Sequence, residues 1–266
     1  MRQQHSSASY KHINALSRGL EVLRVLNQSQ DSRSNPSAIS KKLGLNRTTV
    51  RRILETLQAD GYVRQLEGDG EFCLTGDVRC LSDGYTNSDN LSLIASPILR
   101  RLTEDILWPC DLATARGDAM VIRESTQKFS ALSFNRVVVG EQRPMLTTAL
   151  GRAFISFCPE RQRRGLIEVL YGQYRGSMSQ AGFRAAVNRL AEETKQRGYA
   201  VNFGEWPQDP RIAAIAIPVY GQIDDVIGAI NIISIKRAMT IETLVEKFLL
   251  PLKAAAVDIE RGVAIN

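Results

Sequence analysis

Asn35-Pro36-Ser37-Ala38-Ile39-Ser40-Lys41-Lys42-Leu43-Gly44-Leu45-Asn46-Arg47-Thr48-Thr49-Val50-Arg51-Arg52-Ile53-Leu54 reads as two short helices folded about a sharp turn. Asn35 is a good N-cap, and Pro36 stands at the first helical position, where its missing N–H costs nothing. Gly44 supplies the left-handed conformation that stops the first helix, about 36–43. Asn46 caps a second helix, about 46–60, which Gly61 ends. The first helix turns Ala38, Ile39 and Leu43 inward. The second sets Val50, Ile53, Leu54 and Leu57 on one side and Arg47, Thr48, Arg51 and Arg52 on the other. This is the pattern of a helix-turn-helix.

Working outward, Asn14–Gln28 repeats Leu16, Leu20, Leu23, Val25 and Leu26 at helical spacing, so a third amphipathic helix precedes the pair. Behind it, 62–66 alternates like a strand, Gly68-Asp69-Gly70 turns, and 71–75 returns. Three helices and a hairpin in this order predict a winged helix-turn-helix over 13–76. Between positions 41 and 52 stand five basic residues and no acidic one. A helix fits the major groove of B-DNA, and arginine pairs bidentately with guanine. Arg47, Thr48 and Arg51 are therefore the candidates for base edges. Thr49 and Arg52, with Lys41 and Lys42 on the preceding helix and Arg64 on the wing, suit phosphates. A basic helix alone is more often a solvated face; the capped helix, glycine turn, basic helix and hairpin in sequence favour double-stranded DNA. The cluster Arg161, Arg163 and Arg164 reads as a solvated helix face.

The chain has 266 residues, 44% hydrophobic and 23% charged, with a formal net charge of +6. That is long enough for two cores and mildly suited to a polyanion. Positions 1–12 form a polar tail without a signal-peptide core, and no stretch approaches the roughly 20 apolar residues of a bilayer span. No membrane association is expected. Cys73, Cys80, Cys110 and Cys158 lack metal-ligand spacing and read as four buried thiols in a reducing, cytoplasmic setting. No metal and no cofactor are expected. Positions 77–90 are a linker with a helical turn near Val78 to Leu81, and 91–107 is a longer helix that Pro109 closes. Strands follow at 112–115, 119–124, Ile212–Tyr220 and Val226–Ile235, with helices at 148–157, 159–171, Gln180–Arg197 and 241–263. The second domain, 91–266, is thus α+β, a mixed sheet with helices on its faces.

Ala15-Leu16-Ser17-Arg18-Gly19-Leu20-Glu21-Val22-Leu23, Leu43 to Leu54 and Gly61-Tyr62-Val63 resemble the N-terminal domain of the IclR family of bacterial regulators. Pro144-Met145-Leu146, Thr148-Ala149-x-Gly151-Arg152-Ala153, Gly198-Tyr199-Ala200-Val201, Ile215-Ala216-Ile217-Pro218-Val219 and Ile227-Gly228-Ala229-Ile230-Asn231 are similar to its effector domain. Within the family, Thr49-Val50-Arg51-Arg52, Glu55-Thr56-Leu57-Gln58 and Trp108-Pro109-x-Asp111 look closest to activators of hydroxyphenylpropionate catabolism. The resemblance implies a GAF-like second domain that binds a small carboxylate, an aromatic acid. It implies a pocket lined by Leu146, Thr147, Thr148, Ala149 and Gly151 and by Val201, Ala216, Pro218, Asn231 and Ile233. It also implies a homodimer or homotetramer on a palindromic operator, with RNA polymerase as a further partner of an activator. The alternative is a repressor of the same family responding to a small aliphatic keto acid.

Independently of family, Thr147-Thr148 open a helix whose first amides suit a carboxylate, although simple capping explains them equally. Asn231 is a polar group on an apolar face; a bond to backbone and a bond to ligand are both open. Ile233 on the same face makes the pocket apolar, which favours an aromatic acid. One winged helix reads few base pairs, so a dimer is expected, through helix 91–107 and the linker. An enzyme is the remote reading. The only histidines, His5 and His12, lie in the tail, and no phosphate-binding glycine motif occurs. Asp111, Arg123 and Glu124 read more simply as ion pairs on a sheet than as an acid–base set.

Overall fold

The computed structural model describes residues 13–29, 32–66, 68, 70–83, 90–133, 137, 139–221 and 225–265. The predicted tail with its two histidines, and positions 84–89 of the predicted linker, lie outside them. The chain divides into two compact units, Met1–Asn87 and Ser88–Asn266.

In the first unit, helix α1 (Asn14–Gln28) packs on α2 (Pro36–Leu43) and α3 (Arg47–Ala59). Asn35 Oδ1 accepts the Ala38 N–H at 2.9 Å, and Gly44 turns the chain at φ +64°. Asn46 Oδ1 accepts the Thr48 N–H at 2.9 Å and starts α3. Val22, Val25, Leu26, Ile39, Val50 and Leu54 form the core. The wing is β2 (Val63–Gln65) against β3 (Phe72–Leu74), with Arg64 opposite Cys73. Positions 67 and 69 at its tip are outside the described residues. A two-residue strand, β1 (Arg33–Ser34), pairs with β3 and was not expected. It comes from the polar run after α1, which carries no strand periodicity. Helix α4 (Asp77–Asp83) occupies the first half of the predicted linker.

Three side chains depart from the expected inward face. Leu16 and Leu20 on α1 and Ala38 on α2 are exposed, because α1 turns Val22, Val25 and Leu26 to the core and α2 turns Ile39. A helix 15 residues long can keep an apolar stripe wider than the surface it covers.

The second unit is three layers. Its six-stranded sheet runs β6 (Gln142–Pro144), β5 (Ala119–Ser125), β4 (Cys110–Arg116), β9 (Val226–Ile235), β8 (Ile212–Tyr220), β7 (Ala200–Phe203). Every neighbouring pair is antiparallel, not mixed as predicted. A tight turn joins β4 to β5, and the long excursion through α6 (Ala149–Phe157), α7 (Glu160–Gln173) and α8 (Gln180–Arg197) links strands at opposite edges of the sheet. Among the described residues no helix connects adjacent strands of this sheet, and no parallel pair forms. One face carries α5 (Asn90–Ile106) and α9 (Ile241–Ile265), the other α6 to α8. The short β6 was not among the predicted strands. Cys73, Cys110 and Cys158 are buried, whereas Cys80 is exposed on α4, against the expectation of four buried thiols.

Candidate functional site

The capped start of α3 presents its polar side to solvent. Arg47, Thr48, Arg51 and Arg52 are exposed and Thr49 is half-buried, while Val50 and Leu54 are fully buried beneath them. Arg51 Nε lies 2.9 Å from Glu55 Oε1, one turn on, with both side chains more than half exposed. An exposed i,i+4 pair contributes only about 0.3–0.5 kcal/mol, so a phosphate or guanine readily displaces it. Lys42 reaches Gln28 Oε1 at 3.2 Å. Among the described residues, Lys41, Arg47, Arg52 and Arg64 make no ion pair. Arg52 and Thr49, with Arg18 of α1, line a shallow groove between α1 and α3. All eight sequence-predicted DNA residues thus sit on α2, α3 or the wing of the first unit.

In the second unit, the sheet face beneath α6 encloses a cavity of about 30 Å³. Asp111, Asn202 and Asn231 lie on its strands with Ile212, Ala214 and Ile233, while Thr148, Ala149 and Leu150 form the start of α6. Gln127, Val137, Arg143 and Trp206 complete the walls. Such a volume holds about one or two water molecules. Beside it opens a cleft of about 770 Å³ that also includes Met145, Leu146, Thr147, Tyr174 and Phe183. Arg143 and Trp206 line both spaces, with the guanidinium 4.9 Å from the indole ring centre. Arg143 also holds Glu141 at 2.8 Å.

The entrance to α6 is rigid. Thr148 Oγ1 donates to the Pro144 carbonyl at 2.7 Å and accepts the Gly151 N–H at 3.3 Å. Arg152 donates to the carbonyls of Leu146 and Val201, and Asn202 to that of Thr147. The first-turn N–H groups of Ala149 and Leu150 find no acceptor among the described residues. Ala149 and Leu150 line the cavity together with Arg143, and free N–H groups at a helix start near a guanidinium suit an anion.

Three buried polar atoms around these spaces also lack a partner among the described residues: Asp111 Oδ1, Thr147 Oγ1 and Trp206 Nε1. Asp111 is fully buried on β4. Burial pushes its carboxyl up to about 6, against the opposing pull of the Ser125 hydroxyl and Arg143. Asn231 Oδ1 accepts the Asp111 backbone N–H at 2.9 Å, so the bond to backbone foreseen for this amide is made, and Asn231 still lines the cavity.

Of the ten predicted effector residues, Thr148, Ala149, Asn231 and Ile233 line the cavity, and Leu146 and Thr147 line the outer cleft. The other four lie outside both linings. Val201 lies on the opposite sheet face, packed with the α5 and α9 layer, because strand side chains alternate; its neighbour Asn202 faces the cavity. Gly151 is a packing glycine, since a Cβ there would meet the Met145 carbonyl oxygen at 2.3 Å. Ala216 and Pro218 share the cavity face but lie farther along β8, outside the lining. Sequence reasoning missed Asp111, Gln127, Val137, Arg143, Leu150, Asn202, Trp206, Ile212 and Ala214; Asp111, read as an ion-pair partner on the sheet, makes no ion pair among the described residues. Strand parity fixes Asn202 and Ala214 once one partner is known; Arg143 and Trp206 leave no periodic signal. Among the described residues no cluster suited to a metal ion occurs, and no helix is long and apolar enough to cross a membrane.

The IclR helix-turn-helix domain matches residues 15–67. The bacterial transcriptional regulator IclR C-terminal domain matches residues 83–261. The transcriptional regulator XynR of Escherichia coli is 26% identical over 83% of this chain and 85% of its own length. The Pca regulon regulatory protein of Pseudomonas putida is 26% identical over 93% of this chain and 83% of its own. An IclR homologue from Microbacterium hydrocarbonoxydans, solved in complex with 4-hydroxybenzoate, superposes with a TM-score of 0.64. It is 18% identical and covers 94% of this chain and 99% of its own, a likeness of fold.

Proposed function

Because the chain belongs to the IclR family of DNA-binding bacterial transcriptional regulators, we propose that it activates an aromatic-acid catabolic operon under the control of an aromatic carboxylate held in the second unit. The observation that carries the ligand reading is the pairing of vacant α6 amides with Arg143 on an apolar-walled cavity. The carboxylate accepts from the amides and the guanidinium, while Val137, Ile212 and Ile233 flank the ring. The likeness to Pca regulators and to the 4-hydroxybenzoate-bound homologue supports an aromatic ligand, and the Trp108-Pro109-x-Asp111 segment supports activation. A ring exceeds the closed cavity, so binding spreads the Arg143–Trp206 wall toward the outer cleft.

In this reading Arg47, Thr48 and Arg51 read bases, and Lys41, Lys42, Thr49, Arg52 and Arg64 hold phosphates of a palindromic operator. The protein works as a dimer or a dimer of dimers. Exposed Ile13, Leu16 and Leu20 along α1, and Leu93 on α5, are large apolar side chains available for self-association. The test is fluorescence anisotropy of duplex DNA from upstream of the gene and its neighbouring operon, with and without aromatic acids. Binding that an aromatic acid shifts, and that pyruvate or glyoxylate leaves unchanged, is expected. Tight calorimetric binding of the keto acids alone overturns the aromatic reading.

A further inference from the structure

We propose that Asp111 is the specificity residue of the effector cavity and selects acids that carry a ring hydroxyl. The inference rests on the proposed effector site and deepens it.

Asp111 is 2% exposed, yet its Oδ1 has no partner among the described residues. Buried polar atoms are rarely left so, and an unpaired buried carboxylate is among the costlier ones. Its surroundings do not remedy this. Asn231 turns its carbonyl oxygen to the Asp111 backbone N–H. Gln127, on the same wall, accepts from Ser133 at 2.8 Å. Arg143 is occupied by Glu141 and stacked on Trp206. The Ser125 hydroxyl serves the carboxyl but leaves Oδ1 unmet, so Asp111 Oδ1 is an acceptor awaiting a donor from within the cavity.

The cavity's other unpaired groups are of opposite sense. The Ala149 and Leu150 amides and the Trp206 indole N–H are donors awaiting an acceptor. A ligand complementary to both has an anionic end and a hydroxyl-bearing end separated by apolar framework. A carboxylate alone satisfies the first set and leaves Asp111 unpaired. A phenolic hydroxyl donates to Asp111 in a charge-assisted bond, and no covalent change is involved.

The experiment is isothermal titration calorimetry of the full-length protein with matched acids: 4-hydroxybenzoate, 4-methoxybenzoate and benzoate, and 3-(3-hydroxyphenyl)propionate with 3-phenylpropionate. The methyl ether keeps the oxygen and removes the proton. We expect at least one hydroxylated acid to bind about tenfold to a hundredfold tighter than its parent and its ether, the range for a hydrogen bond to a buried charge. Asp111→Ala narrows that preference to about threefold or less, and Asp111→Asn, which keeps size and a weaker acceptor, leaves it intermediate. The isosteric variant serves if the alanine variant does not fold. Equal binding of parent and hydroxylated acids, or a preference that survives both substitutions, overturns the inference and leaves the effector site standing. No binding of any acid to the wild type overturns both.

Discussion

Asp111 sets stability against recognition. An ordinary aspartate titrates at 3.8 and the folded one at about 6, with burial as the largest cause. Between those values the folded chain holds a proton that the unfolded chain has released. This group's contribution to stability is therefore greatest below about pH 4, falls as pH rises to about 6, and is level above. At about 1.4 kcal/mol per pH unit, the cost at neutral pH is roughly 3 kcal/mol. Asp111→Asn is expected to be more stable than wild type by up to that amount at pH 7.5 and to match it near pH 4, as urea melts at the two values would show. A carboxylate whose removal stabilises the protein is kept for another reason. Gly151→Ala goes the other way. Its Cβ would strike the Met145 carbonyl, α-carbon and carbonyl carbon at 2.3 to 2.6 Å, and backbone cannot yield as a side chain does. A loss of about 3 kcal/mol is expected, with weakened binding of aromatic acids, since Met145 leads into the α6 entrance. Single-residue legibility in the sequence was uneven. Asn231 and Ile233 were found because the two-residue period of a long strand fixes their face. Val201 and Asn202 could not be told apart in the sequence because a four-residue strand offers no phase until one partner is known; the structure turns Asn202 to the cavity.

Elements were easier to read than side chains. Asn35, Pro36, Gly44 and Asn46 mark their helix ends by local chemistry, and α1, α2 and the start of α3 follow the predicted bounds closely. Local signals act within a turn, so sequence carries them in full. Strand partners are set at long range, and the all-antiparallel sheet, the two-residue β1 and the three-residue β6 had no such signal. At this scale, Asn46→Ala removes the acceptor of the Thr48 N–H and is expected to cost about 1 kcal/mol of the first unit's stability, seen by chemical denaturation. Arg64→Ala on the wing is expected to weaken operator and unrelated duplexes alike. The logarithmic salt dependence should fall by about one contact, which anisotropy titrations over a range of salt would measure.

The whole molecule combines a DNA-binding unit with a unit that holds a small, mostly apolar-walled cavity. The division into two units was legible from the composition and the helix-strand patterns, while the cavity's walls were only partly so, because they come from β4, β6, β7, β8, β9, α6 and three loops brought together by folding. An aromatic acid present at about a hundred times its dissociation constant should stabilise the folded chain by roughly 2.7 kcal/mol, read as a raised melting temperature. Arg143→Met should remove most of that rise. The central claim is that α3 reads DNA with its arginine face, and its most direct measurement is competitive anisotropy at fixed salt. Wild type and the Arg47→Ala, Arg51→Ala double variant would be compared on operator duplex against a scrambled duplex. The account predicts that the folded double variant loses its preference for operator by about tenfold or more. An unchanged preference in a folded double variant would contradict it.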